Sequence, residues 1–522
     1  MLAQDTSRIE QLTEIQNHFA DCAEWLLSFS ETSDFAVEAR EIEIAWQNAK
    51  LVLSCPTMRG WQHWTIAAWE KVGEKLIFQT ARKLTSASII LEFTPRIPVE
   101  NLREDVQKAR LLKARELAEL ARITFSNWAK IERVSLNQSN QRGKVGTIAR
   151  ILLALPNAKT VAVCSSIIEK TDAGNLLSNS ILWLTKLEER RKISELWLVG
   201  EGKSADDLQK LHALLRDGWR EKTKIYQRQT NSQRTDVQAE KEETEFLEFI
   251  EPLRLTDLWT EKSKKLLHPK KAELSETAKT ILQLAPEAID VLRSKHGETL
   301  RFHGLPFVRI SEILGGEQVW FGTDARRKRN LNDASMEDFS DLLENLREHR
   351  QSDTNDKLNA FYKAASESWL ESILRRDVSR LDPNLVLAPL YSQFRLSNKK
   401  GALDLLALRT DGRLVVIELK TTADREHVFQ AVTYWQQIEV HRRCGNFQNL
   451  KLFGDLPILD APPLVYLVAP LMSFHRDFEV LANAITPEIE IWRFDLNEDW
   501  RGGIRVARRR TNFRGQNDNL FL

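Results

Sequence analysis

Two hydrophobic periods alternate along the chain, and the places where one gives way to the other divide it into segments. Residues 1–50 carry Ile9, Leu12, Ile15 and Phe19 at helical spacing and read as helices. Strand-like runs follow at 50–54, 75–79 and 87–93, the last closed by Thr94-Pro95, and 99–136 has the pattern of one long charged amphipathic helix. Together these make a helical and β region over 1–136, ended by a polar stretch at 137–143. Short apolar runs then alternate with helical patterns: strand 160–165, helix 173–190, strand 194–200 and helix 204–219. That order predicts a small α/β unit over 146–228. Residues 230–245 hold almost no apolar side chains and alternate in charge, so 229–246 is expected to be a linker.

Beyond it, a connecting region over 247–350 reads as helices at 253–267 and 275–295, a strand pair at 300–310 and 318–321 joined through Gly315-Gly316, and an acidic helix at 336–347. The last third, 351–522, gives a helix at 359–377, a strand at 385–395 and two apolar runs at 403–408 and 414–419. A helix at 424–441, a strand at 464–469, a helix at 474–484 and strands at 488–494 and 503–507 complete it. The fold class expected from these periods is α/β, in several domains.

Length and charge narrow the picture little. A chain of 522 residues has room for two to four domains, and a net charge of +1 makes any nucleic-acid surface a local one. Cys22, Cys55, Cys164 and Cys444 form neither a CxxC pair nor a zinc spacing and read as reduced, buried thiols. The amino terminus has no basic start or apolar core, and no run approaches a spanning helix, so a soluble cytoplasmic protein without a membrane partner is expected. Homo-oligomerisation is left open. Gly200-Glu201-Gly202-Lys203-Ser204 matches the end of a Walker pattern, but Trp197 stands where its first glycine belongs, so a plain strand-to-helix turn is the reading. A nucleotide-gated sensor in this region is correspondingly disfavoured.

Candidate chemistry lies in the hairpin GALDLLALRTDGRLVVIELK, the one place where charged residues interrupt a core. Side chains alternate across a strand, so Glu418 and Lys420 share a face and Leu419 points to the other. A two-residue Asp411-Gly412 loop would pair Asp404 with Leu419 and turn it away. A three-residue Thr410-Asp411-Gly412 loop pairs Asp404 with Glu418, and Gly412 supplies the left-handed third position such a loop wants. Two carboxylates about 5 Å apart repel unless a cation lies between them, most economically a hard divalent ion.

Asp404, a spacer of hairpin length, and Glu418-Leu419-Lys420 resemble the core of the PD-(D/E)xK nuclease superfamily, which includes restriction endonucleases, Holliday-junction resolvases and RecB-type nucleases. Leu403 replaces the proline before the family's first acid. The resemblance implies an αβββαβ core over 351–522, a Mg²⁺ cofactor for which Mn²⁺ can substitute, and a DNA partner in preference to RNA. It also implies roles: Asp404 and Glu418 as metal ligands with the Leu419 carbonyl, and Lys420 orienting the attacking water. A glutamate of the opening helix often completes such a site. Of Glu367 and Glu371, one turn apart, Glu371 is preferred because it adjoins the apolar face. Gln430 and Tyr434, neighbours on one helical face, resemble the QxxxY motif of RecB-type nucleases, with Gln430 as a catalytic support and Tyr434 as a nucleic-acid contact. His427 lies on the same side and reads more readily as packed or capping.

Lys399 and Lys400, and Arg508, Arg509 and Arg510 of an arginine-rich tail, are the expected phosphate contacts, the tail having an equally good account as solvated charge. The cluster Arg326-Arg327-Lys328-Arg329 reads as a solvated loop. From about 300 onward, runs such as RFHGLPFVRI, WLESILRRD and YLVAP resemble bacterial proteins of unassigned function that carry this core. The implied activity is a Mg²⁺-dependent deoxyribonuclease of repair or defence, endo or exo undetermined. The alternative is a non-catalytic nucleic-acid-binding or assembly protein that retains the nuclease fold.

Overall fold

The computed structural model describes residues 2–29, 35–47, 50–57, 60–80, 89–96, 99–138, 145–155, 159–168, 172–232, 243–260, 273–294, 297–313, 316–324, 328–387, 391–394 and 403–511. The chain is α/β and divides into two compact units, Met1–Lys108 and Ala109–Leu522.

The first unit is a helix, Leu2–Ala20, with a seven-stranded sheet. Ile15 and Phe19 of the helix pack with Trp25, Phe78 and Phe93. Only its first turns follow the expected helical reading of 1–50, because Glu24–Phe29, Phe35–Glu38 and Glu43–Gln47 are strands. In Glu24–Phe29 the alternation that buries Trp25 and Leu27 overrides the helical spacing before it. The 13-residue strand Gly60–Val72 was not expected, and a bulge between Ile66 and Ala68 shifts its register and breaks the period of two that would have marked it.

Among the described residues the second unit holds three sheets. In the first, strands Glu243–Ile250, Thr223–Ser232, Glu195–Gly200, Thr160–Ser166, Ile148–Ala154 and Lys130–Leu136 lie side by side in that order. The expected helix over 99–136 therefore ends at Phe125, and Lys130–Leu136, with a bulge between Ile131 and Arg133, is an edge strand. The expected linker is also corrected at both ends. Thr230 pairs with Glu245 in an antiparallel ladder, and Arg228 bonds Glu245 across it at 2.5 Å. Cross-strand charge pairing lets a strand form where apolar residues are scarce; residues 233–242 lie outside the described set. Helix α1, Ala173–Glu188, crosses from Thr160–Ser166 to Glu195–Gly200. At the Walker-like turn Gly202 is the N-cap of the helix Lys203–Ala213, with no side-chain cap hydrogen bond.

The second sheet is a five-stranded antiparallel meander from Ile289–Ser294 through strand β1, Gly297–Phe302, to Arg329–Asn330. The expected helix 275–295 stops at Leu284, and the expected strand 300–310 is broken by a tight turn at His303 and Gly304, both at positive φ. A Cβ on Gly304 would lie 1.9 Å from the Ser368 carbonyl, so glycine lets this turn seat directly on the next helix. Of the expected helix 253–267, residues 253–260 are described, and Leu255–Thr260 form a 3-10 segment.

The third sheet carries the candidate chemistry. Helix α2, Ser366–Arg376, precedes strands β2, Tyr391–Phe394, β3, Leu403–Leu408, and β4, Leu414–Leu419. Helix α3, His427–Arg443, strand β5, Leu464–Pro470, helix α4, Phe478–Asn483, and strands β6, Ile491–Leu496, and β7, Val506–Thr511, follow. The strands lie in sequence order, with β4, β5 and β6 parallel. The expected helix 359–377 is two pieces, because Ala365 before α2 is left-handed with φ 45°. Trp369, Leu370 and Leu374 of α2 cover one face with Leu405, Ile417, Leu419 and Tyr466. On the other face Val428, Phe429, Val432 and Trp435 of α3 share a core with Leu467 of β5 and Leu176 and Leu177 of α1. Helix α3 is thus packed between its own sheet and the preceding α/β unit. Cys55 and Cys164 are buried, Cys22 is half-buried and Cys444 is exposed, so two of the four thiols depart from the expected burial. Among the described residues no helix is long and apolar enough to cross a membrane.

Candidate active site

The turn between β3 and β4 decides where Asp404 points. Leu408 pairs with Leu414 and Leu405 with Ile417, a register that continues to place Asp404 opposite Glu418. Arg409 N–H donates to the Arg413 carbonyl at 2.9 Å, leaving Thr410-Asp411-Gly412 as the loop. Gly412 takes φ 84°, and a Cβ there would meet the Pro457 carbonyl oxygen at 2.8 Å. The three-residue loop is therefore the one present. Asp404 Oδ2 accepts the Leu419 N–H at 2.8 Å, tying the two strands at the end of the ladder.

Glu418 is 4% and Lys420 9% exposed. Lys420 Nζ donates to Glu418 Oε1 at 3.3 Å and lies 3.8 Å from Glu367 Oε2. Burial pushes Asp404 up to about 7; Glu371 and Glu367 add to this, and the Leu419 N–H and Lys420 oppose it. Burial, then Asp404, raises Glu418 well above the carboxylate range. Burial alone would lower Lys420, but Glu418, Glu367 and Asp404 outweigh it and raise its pKa. The lysine therefore stays cationic, a donor and a charge rather than a base. The carboxyls outnumber it, so the pair Asp404 and Glu418 holds protons at a pH where ordinary carboxylates have none.

The unfolded chain releases those protons near pH 4, so between about pH 4 and 7 the folded state binds more protons than the unfolded state. Stability contributed by this group is present below the unfolded pKa and is lost as pH rises through about 7. In EDTA, urea unfolding should show stability falling across that window by on the order of 2 kcal/mol after solvent screening. A flat profile would mean that the carboxyls are not strained together.

Three buried oxygens bear on whether a hard cation fits. Glu418 Oε2, Glu371 Oε1 and Gln430 Oε1 have no hydrogen-bond partner. They are of the donor type that Mg²⁺ or Mn²⁺ takes, and Asp404 and Glu418 supply the negative charge. Among the described residues no group of three or more His, Cys, Asp or Glu side chains is already gathered as a metal cluster. Asp404 is engaged by the Leu419 N–H, and Glu418 Oε1 by Lys420.

The other expected residues fall on both sides of this centre. Glu371 is buried on α2 and bonded to Arg301 at 2.9 Å, a partner that nothing local in the sequence signals. Glu367, set aside in favour of Glu371, is the one beside Lys420. Its place four residues before Glu371 was the available clue. Tyr434 is partly buried, and its hydroxyl pKa is raised by burial and then by Glu418 and Asp404, which places it within the field of the site. His427 is a packed residue: Nε2 lies 3.1 Å from the Glu418 carbonyl, the ring stacks on Phe474, and burial pushes its pKa down to about 3. It holds the strand carrying Glu418.

Arg509 lies over Trp492, and Arg510 bonds Glu479 at 2.9 Å, so both are engaged along the sheet edge; Arg508 is exposed, as is Arg509. The register Asp495–Arg508 places Arg508 level with Lys420, three strands away and so about 14 Å across the sheet. Lys399 and Lys400 lie outside the described residues, as do Arg326 and Arg327, while Arg329 pairs with Asp338.

Comparison with known proteins adds little to this geometry. No family model matches the chain, and no curated protein matches it. Among solved structures, that of EndoMS in apo form matches at 10% identity over 36% of this chain and 83% of that one, with a TM-score of 0.13. A likeness at that level carries no argument about function.

Proposed function

We propose that this chain is a metal-dependent nuclease that hydrolyses DNA phosphodiester bonds. The observation that supports this most is the burial of Glu418 and Lys420 together at the end of strand β4 beside the half-buried Asp404 of β3, with more carboxyl than cationic charge. Asp404, Glu418, the Leu419 carbonyl and Glu371 would hold the ion. Mg²⁺ or Mn²⁺, when bound, supplies an acidified water and neutralises charge at a scissile phosphate. Lys420, kept protonated by its neighbours, orients the attacking water and donates to the phosphate oxygen that gains charge. Gln430 steadies that lysine through its side-chain oxygen, which has no hydrogen-bond partner, or an adjacent phosphate through its amide. Tyr434 and Arg508 extend the contact along the strand backbone of the nucleic acid.

The engagement of Asp404 by a main-chain N–H, and of Glu418 by Lys420, favours one second reading, a nucleic-acid-binding protein that keeps the fold without turnover. Labelled linear, nicked, branched and single-stranded DNA, and RNA, incubated with Mg²⁺, Mn²⁺ or EDTA, separates the two. Cleavage of DNA in either metal and none in EDTA is the expected result. Binding that ignores metal, with every substrate intact, would put the second reading in its place.

A further inference from the structure

The candidate site is not built by its own sheet alone. Arg301, in strand β1 of the five-stranded sheet, is 0% exposed. Its Nη1 donates to Glu371 Oε2 at 2.9 Å and its Nε to Asp290 Oδ1 at 2.7 Å. Asp290 also accepts from Ser372 Oγ at 2.7 Å and Arg375 Nη1 at 3.3 Å. Two guanidiniums and two carboxylates thus close a network between the five-stranded sheet and helix α2. Burial works against the charge on Arg301, but Glu371 and Asp290 outweigh it.

Arginine and carboxylate frequently pair through two parallel bonds in a fork. Here Arg301 divides its bonds between two carboxylates, and its Nη2 is buried with no hydrogen-bond partner. Glu371 is held through Oε2 alone, and its Oε1 is buried with no hydrogen-bond partner. The charge of that same carboxylate reaches Asp404.

We propose that Arg301 is a positioning residue for the candidate active site: by gripping Glu371 through one oxygen, it presents the other as a ligand to the divalent ion that Asp404 and Glu418 hold. This rests on the nuclease reading above. Its consequence is that the five-stranded sheet, read from sequence as a connecting region, completes the site.

Mn²⁺ binding to the full chain, followed by electron paramagnetic resonance, tests this without substrate. The variants are D404N, E371Q, R301K and R301K/E371Q, each checked for an intact unfolding transition. R301K keeps the buried charge but cannot reach Glu371 and Asp290 together, so it separates positioning from charge balance. E371Q and R301K should each weaken Mn²⁺ by roughly 10–100-fold, as loss of a group that orients a ligand does. R301K/E371Q should bind no more weakly than E371Q, because Arg301 acts through Glu371. The inference is overturned if R301K weakens Mn²⁺ by the same factor in both backgrounds, or leaves it unchanged while D404N abolishes binding. If D404N leaves Mn²⁺ binding intact, the metal site itself is wrong and the role of Arg301 falls with it.

Discussion

Asp404→Asn is expected to lower Mg²⁺-dependent DNA cleavage by about 10³-fold or more while making the metal-free protein more stable at neutral pH. The first effect is the loss of an anionic ligand, worth roughly 4 kcal/mol of barrier at that rate ratio. The second follows from burial: Asp404 is pushed up to about 7 in the fold, so at pH 7 and above its ionisation opposes folding, and asparagine removes the charge. The side-chain oxygen that accepts the Leu419 N–H is kept in the amide.

Lys420→Ala should lose activity to a similar degree but in the opposite company, with lower stability, because Glu418, Glu367 and Asp404 lose the cation whose pKa they raise. Cleavage assays beside urea unfolding in EDTA check both variants. Full activity in either would end the nuclease proposal. Matching stability losses in both would mean that the cluster is structural, since a functional cluster opposes folding where a structural one supports it.

The largest expected effect on folding is at Arg350. Its side chain is 0% exposed, and among the described residues no carboxylate bonds it. Nε donates to the Phe302 carbonyl at 2.9 Å, Nη1 to those of Phe361 and Ala364, and Nη2 to that of His303 at 2.8 Å, with the guanidinium 4.6 Å from the centre of the Trp369 ring. Burial, with Arg501 nearby, pushes its pKa down to about 9, so it remains a cation at neutral pH, neutralised by carbonyl dipoles. Arg350→Met would leave several buried carbonyls unpaired, each at a cost of about 1–3 kcal/mol, partly offset by removal of the buried charge. A net loss of about 3 kcal/mol or more is expected in urea or thermal unfolding. An unchanged midpoint would show that these carbonyls find other partners. Two of them, Ala364 and Phe361, lie just before α2, so the same change should loosen the start of the helix that carries Glu367 and Glu371.

How much of this was readable in the chain depended on distance along it. The register that faces Asp404 to Glu418 followed from three adjacent turn residues, with Gly412 in the left-handed conformation the loop needs. The placement of Tyr434 near the carboxyls and of His427 in a packed position followed from spacing on one helix. Charge-rich strands were misread where local signals point the wrong way: Lys130–Leu136 carries a bulge, and Thr223–Ser232 is sustained by cross-strand pairs that only the folded sheet brings together. Arg301 was out of reach for a stronger reason. It meets Glu371 across 70 positions, and no period or spacing connects a strand of one sheet to a helix covering another.

The shared core around α3 has a further meaning. Asn175 of α1 bonds Glu426 at the head of α3, Arg425 bonds Asn179 at 3.3 Å, and Gly174 sits 3.2 Å, measured to where a Cβ would lie, from Phe429. Any rotation of α1 would therefore be felt by the helix bearing Gln430 and Tyr434. The α/β unit is mechanically in series with the helix that packs beside the carboxylate cluster, so a displacement of one is transmitted to the other.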